Sequence, residues 1–144
     1  MCIRDSASFV LKLVLDEPES EQVQALWAGW LTQGVTLIAP CHLAFEATSV
    51  IRNHIYRREI SPQAGQLAFE AFLAQEIELR HPGDLEVRAW ELAQQYNRPT
   101  AYDGSYLALA ESAGCELWTA DGRLVRAVGG ALPWLKTVRD IAQL

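Results

Sequence analysis

Two aspartates flank one helix–strand unit of this chain. The stretch 100–124 reads TAYDGSYLALAESAGCELWTADGRL, with Asp103 near its start and Asp121 near its end. Tyr106, Leu107, Ala110 and Ala113 recur at helical spacing, so they predict a helix with an apolar stripe. Gly114 is its expected stop, residues 115–119 read as a short strand, and Asp121-Gly122 is turn chemistry. In an open α/β sheet, ligands gather outside the carboxyl ends of the strands. The unit therefore sets two carboxylates at the rim of one crevice. Such a rim could act on a polyanion through metal ions, provided a basic patch nearby holds the phosphates. Taken singly, Asp103 is also an ordinary helix cap and Asp121 an ordinary turn former. Their pairing on one connection is what points to a site.

The rest of the chain supplies the elements that would position this rim. Residues 1–15 predict a first strand running into a short helix, and Asp16-Glu17-Pro18 breaks it. Residues 19–33 read as a helix with Val23, Leu26, Trp27, Trp30 and Leu31 on one face. Residues 35–39 are a compact β run. A long helix over 42–58 carries the stripe Leu43, Ala47, Val50, Ile51 and His54. Glu46, Val50, Asn53 and Arg57 share another face of it. Ser61-Pro62 opens a further helix, with Leu67, Phe69, Phe72 and Leu73 as its apolar surface. Residues 77–80 suggest a strand. Asp84 is the expected cap of a helix through Tyr96, and residues 132–138 suggest a last strand before a weakly structured tail. Strands alternate with helices throughout. That order predicts one domain over residues 1–144, a three-layer α/β/α sandwich on a mainly parallel sheet.

Composition excludes several function classes. The chain has 144 residues, a net charge of −6 and a pI near 5.0, which opposes nucleic-acid binding through bulk positive charge. No window approaches the roughly 20 apolar residues of a membrane span. The three cysteines (Cys2, Cys41, Cys115) are widely spaced and fit a reducing cytosol. Cys41 and Cys115 read as core filling. His42, His54 and His81 show no metal-ligand spacing and read as surface or helix packing. No GxGxxG, Walker or GxSxG segment is present. The basic residues Arg52, Arg57 and Arg58 cluster on the long helix, with Lys12, Arg98, Arg123 and Arg126 elsewhere. Their alternatives are RNA phosphate contact, assigned to Arg52, Arg57 and Arg123, or a solvated helix face.

Four segments, in order, resemble the motifs of PIN-domain proteins, most closely the VapC-type toxins of toxin–antitoxin pairs. They are ASFVLKLVLDEPES, PCHLAFEATSVI, TAYDGSYLALAESAG and ELWTADGRL. The resemblance implies an α/β/α fold, Mg²⁺- or Mn²⁺-dependent endoribonuclease activity, an RNA substrate and a cognate VapB-like antitoxin. Exposed apolar residues on the first two helices would suit either a homodimer or an antitoxin groove. Glu46 matches the acid that opens the family's long helix. Asp103 matches the acid of its YDA-like motif, here YDG, and Asp121 that of its TAD motif. Ser8 and Thr119 match its supporting hydroxyl positions. Glu46, Asp103 and Asp121 would then hold a hard cation through oxygen ligands, and the ion would polarise the phosphate and acidify an attacking water.

The first motif departs from the family pattern. The family reads Asp-Ala-Ser or Asp-Thr-Ser, and here Ser6 precedes Ala7-Ser8. The one nearby acid is Asp5, which reaches the site as a fourth ligand only if the strand end twists or bulges. MCIRDS reads as the translation of ATG TGT ATA AGA GAC AGC, whose first seventeen bases match a transposase adapter end used in sequencing libraries. The expectation is that residues 1–6 are not native and replace the family's first Asp. A catalytically impaired scaffold that binds antitoxin or RNA is the alternative to a working nuclease.

Overall fold

A computed structural model describes residues 2–5 and 7–144, with the backbone alone for residues 2–5. Ser6 and the side chain of Asp5 lie outside the described residues. The element order is β1 (Cys2–Asp5), α1 (Ala7–Val14), α2 (Ser20–Thr32), β2 (Thr36–Pro40), α3 (Leu43–Tyr56), α4 (Pro62–Leu73), β3 (Ile77–Arg80), α5 (Leu85–Gln95), α6 (Ala101–Ala113), β4 (Glu116–Thr119), α7 (Gly122–Val128), β5 (Leu135–Thr137) and a closing 3-10 helix (Val138–Gln143). The strands form one sheet in the order β3-β2-β1-β4-β5, and each described pairing is parallel.

That order fixes the layers. The chain steps from β1 to β2 to β3 in one direction, then crosses back to β4 and β5. Parallel crossovers are right-handed, so α1–α4 cover one face and α5–α7 the other. β2 is buried from Leu37 to Pro40 and β4 from Leu117 to Thr119, as strands covered on both faces must be. On the first face Phe9, Trp27, Trp30 and Trp118 form a connected aromatic cluster, with ring centroids 5.5–6.0 Å apart. On the second face α6 is buried without a break from Gly104 to Ala110. The expected stripe is therefore too narrow: α6 lies between the sheet and α5. Its contact with α5 is so close that a Cβ at Gly104 would collide with the carbonyl of Ala89. A bidentate pair from Arg88 to Glu111 (2.7 and 2.8 Å) also ties α5 to α6.

Several local expectations hold. Ser61 caps α4 through Ala64 N–H, with Pro62 in its first turn. Gly114 ends α6 in the left-handed region at φ 63°, where a side chain would be strained. Others are corrected. Leu67 and Leu73 are exposed; α4 buries the expected Phe72, with Gly65 and Ala68 in place of the two leucines. Cys41 is exposed, because it follows β2 at the rim; Cys115 is buried. Asp84 stands at the start of α5 but its side chain makes no capping bond. The last strand is three residues long. The tail is a 3-10 helix held by a capping box between Thr137 and Asp140.

Candidate active site

The carboxyl edge of the sheet collects four helix starts. α1, α3 and α7 follow β1, β2 and β4 directly, so their N-termini lie at that edge. α6 precedes β4 and runs back along the sheet, which brings its N-terminus there too. The strand order reverses between β1 and β4, the place where an open sheet leaves its crevice. Helix N-termini carry partial positive charge, so this rim favours acidic side chains. Glu46 lies in the first turn of α3, Asp103 in the first turn of α6, and Asp121 at the N-cap of α7.

The structure brings Glu46 and Asp103 together. Burial raises the Glu46 pKa, the Tyr106 hydrogen bond opposes that rise, and repulsion from Asp103 adds to it. The Tyr106 hydroxyl donates to Glu46 Oε2 at 2.7 Å. Tyr106 is itself buried, and burial followed by the Glu46 charge pushes its phenol pKa up, so it stays a donor. Asp103 is held from the other side: Arg98 Nε donates to its Oδ2 at 3.0 Å, and the arginine side chain is 12% exposed. Each carboxylate thus has one oxygen fixed by the protein.

His42 completes this half of the site, and the sequence reading missed it. Its Nε2 lies 3.1 Å from Ser105 Oγ and 3.9 Å from Glu46 Oε1. Its ring packs against Tyr102 and Tyr106, at centroid distances of 5.1 and 5.3 Å. Burial first, then His81, lowers its pKa, so the imidazole is neutral near pH 7. The available signal was its place four residues before Glu46 at the start of α3, on the same side of the helix.

Ser8 and Thr119 build the other half. Their hydroxyls lie 3.2 Å apart, 111 positions apart in the chain. Ser8 Oγ accepts from Ala120 N–H, and Thr119 Oγ1 accepts from Asp121 N–H. This bracket fixes the turn after β4 against the start of α1. Asp121 Oδ1 then accepts from the N–H groups of Arg123 and Leu124, so Asp121 caps α7. It faces a cleft of about 240 Å³ that also includes Lys12, Arg126, Thr137 and Arg139.

Among the described residues, no three His, Cys, Asp or Glu side chains stand close enough to share an ion. No described contact joins Asp121 to Glu46 or Asp103, and the Asp5 carboxylate lies outside the described residues. The pair still suits a hard divalent ion. Mg²⁺ is commonly held by one or two carboxylates while water completes its shell, and an ion would relieve both the burial of the Glu46 charge and its repulsion from Asp103. Of the expected RNA contacts, Arg123 follows Asp121 on α7. Arg52 instead borders an apolar cleft between α3 and α4 with Ile51, Ile55 and Phe69. Arg57 follows the end of α3, about 16 Å along the helix from Glu46 at 1.5 Å per residue.

A profile of the PIN domain matches residues 7–130. The chain belongs to the PIN-domain family. It is 32% identical over 123 residues to Ribonuclease VapC12 of Mycobacterium tuberculosis, in two strains of that organism, covering 85% of this chain and 89% of the relative. Two crystal structures share the PIN fold. VapC20 of M. tuberculosis, a toxin that cleaves the sarcin–ricin loop, aligns with a TM-score of 0.64 at 20% identity, over 87% of this chain and 94% of its own. PAE2754 from Pyrobaculum aerophilum aligns with a TM-score of 0.67 at 19% identity, over all of both chains. The matched PIN region includes Ser8, Glu46, Asp103, Thr119 and Asp121. It begins after Ser6, so it says nothing of the first motif's acid position.

Proposed function

We propose that this PIN-domain protein is a Mg²⁺- or Mn²⁺-dependent endoribonuclease, the toxin of a VapBC-like toxin–antitoxin pair. The observation that carries the reading is the coupled carboxylate pair Glu46–Asp103 at the switch point of a PIN sheet. Similarity to Ribonuclease VapC12 supports RNA as the substrate. Glu46 and Asp103 hold the ion, and Asp121, with Asp5 as a fourth candidate, acts at the far side of the rim. Bound there, the ion supplies a Lewis acid at the phosphate and a water of lowered pKa. Tyr106 keeps Glu46 oriented, and the Ser8–Thr119 bracket fixes the floor on which the phosphodiester lies. Arg123, with Arg126 and Arg139 of the adjoining cleft, holds flanking phosphates; such contacts set position without reading sequence.

A VapB-like antitoxin and a homodimer accompany this reading, as does a cytoplasmic location. Among the described residues no helix is long and apolar enough to cross a membrane. The test is cleavage of a mixed RNA pool with Mg²⁺ or Mn²⁺ against EDTA, for the protein and for Asp103→Asn. Metal-dependent cleavage lost in the variant supports the nuclease. Metal-independent cleavage, or equal cleavage by both, sinks it.

A second reading has its own support. Ser6 stands where the family's first motif carries Asp, and a missing carboxylate weakens metal binding. The chain would then bind antitoxin or RNA without turnover. Calorimetric Mn²⁺ titration beside a Ser6→Asp variant separates the two, since a response in the variant alone favours the scaffold.

A further inference from the structure

Arg98 sits in the short connection between α5 and α6. Asn97 before it takes a left-handed φ of 49°, and the Arg98 backbone N–H closes α5 on Ala93 at 2.8 Å. This turn points the arginine at the first turn of α6. Its side chain is 12% exposed, yet its described hydrogen bonding consists of one contact, Nε to Asp103 Oδ2. Guanidinium carries five N–H donors. The two terminal nitrogens, with four of those donors, make no hydrogen bond among the described residues. Burying polar groups without partners is costly, and the ion pair to Asp103 uses only one of the five donors. Arg88 on α5 shows the contrast: it is more exposed, and each of its three nitrogens donates to Glu91 or Glu111.

A guanidinium tied by Nε to a site carboxylate leaves its terminal nitrogens for an oxyanion beside that carboxylate. Arginine binds phosphate in bidentate fashion with a planar fork. We infer that Arg98 is a substrate-binding residue that grips the non-bridging oxygens of the RNA phosphodiester presented to Glu46 and Asp103. The inference rests on the nuclease reading for its substrate and adds the group that contacts the phosphate. Asp103 acts twice in this arrangement: Oδ2 aims the guanidinium, and Oδ1 remains for the ion. The arrangement also explains how an acidic protein admits a polyanion to an acidic rim, since Arg98 offsets one of the two carboxylate charges at the point of contact.

The experiment measures binding of a short single-stranded RNA oligonucleotide by fluorescence anisotropy in EDTA, at several salt concentrations. The protein is compared with Arg98→Gln and Arg98→Lys, and Mn²⁺ affinity is titrated separately in each. For Arg98→Gln the expected result is RNA binding about 10-fold weaker and a salt slope smaller by about one, as for a lost phosphate contact. Mn²⁺ affinity should be equal or tighter, because a cation beside the ion is gone. Arg98→Lys keeps the charge without the fork, so it should keep the salt slope and recover part of the affinity. Unchanged RNA affinity and slope in Arg98→Gln overturns the inference. So does a parallel loss of RNA and Mn²⁺ binding in Arg98→Gln, which would make Arg98 a support for Asp103 alone. Oligonucleotide binding in EDTA is independent of turnover. A chain that binds through Arg98 but cuts no RNA with either metal therefore retains this inference while losing the nuclease reading.

Discussion

The two sides of the carboxyl edge are built from similar residue types and do different things. On the α3–α6 side, Glu46 and Asp103 repel each other, and each has one oxygen fixed by a long side chain, Tyr106 or Arg98. On the β4–α7 side, Asp121 is engaged with backbone N–H groups, and Ser8 and Thr119 bond to each other and to the turn. The first side carries one carboxylate charge more than Arg98 offsets, an arrangement that suits a cation. The second side is a rigid frame: Asp121 Oδ1 is spent on the α7 cap, Ser8 and Thr119 brace the turn, and among the described residues only Asp121 Oδ2 is left for a ligand. A carboxylate at a functional rim is thus not a ligand by position alone; its hydrogen-bond partners decide what it can still do.

Substitutions can break or sharpen this contrast. The largest effect should come from Asp103→Asn and Glu46→Gln, each lowering metal-dependent cleavage by more than about 100-fold, beyond the loss usual for a supporting residue. Asp121→Asn should cost less than either, since an amide still caps α7; an equal loss would move Asp121 into the cation site. Next, Tyr106→Phe should weaken Mn²⁺ binding by about 10-fold in calorimetry with the fold intact. Unchanged affinity would mean Glu46 needs no anchor.

On the frame side, stability is the readout. Ser8→Ala should cost about 1–2 kcal/mol in urea unfolding, because the Ala120 N–H loses its acceptor. Asp121→Ala should cost about 1 kcal/mol for the lost cap while Asp121→Asn costs little. If the two Asp121 variants are equally unstable, capping is not what holds that turn.

The smallest effect tests the sign of the Glu46 shift. Its folded pKa lies above the ordinary 4.5, so the folded state binds the proton more tightly. Stability from this group is present below pH 4.5 and falls as pH rises through the raised value. Glu46→Gln should therefore raise the melting temperature at pH 7, with the gain vanishing below pH 4.5. A gain that persists in acid would point to packing in place of charge.

Much of the frame was legible in the chain itself. The α6 boundaries, the Gly114 stop, the Ser61-Pro62 start and the parallel sheet follow from periodicity and turn chemistry, which act between near neighbours. Asp84 and α4 mark where that reasoning failed. A cap needs its side chain to turn back onto the helix, and Leu67 and Leu73 suit a core that α4 presents to solvent instead. Cys41 failed for the same reason, since hydrophobicity does not say which end of a strand meets the rim.

The sequence by itself determined which elements form, in what order, and that acidic residues stand at the starts of α3, α6 and α7. It also specified the PIN family through motifs spread along the chain. Tertiary structure alone decided that Tyr106 reaches Glu46 across 60 positions, that Ser8 meets Thr119, and that His42 and Arg98 belong to the acid pair. Local pattern fixes the direction of a backbone, whereas the partners of a side chain depend on which elements the crossovers bring to the same edge.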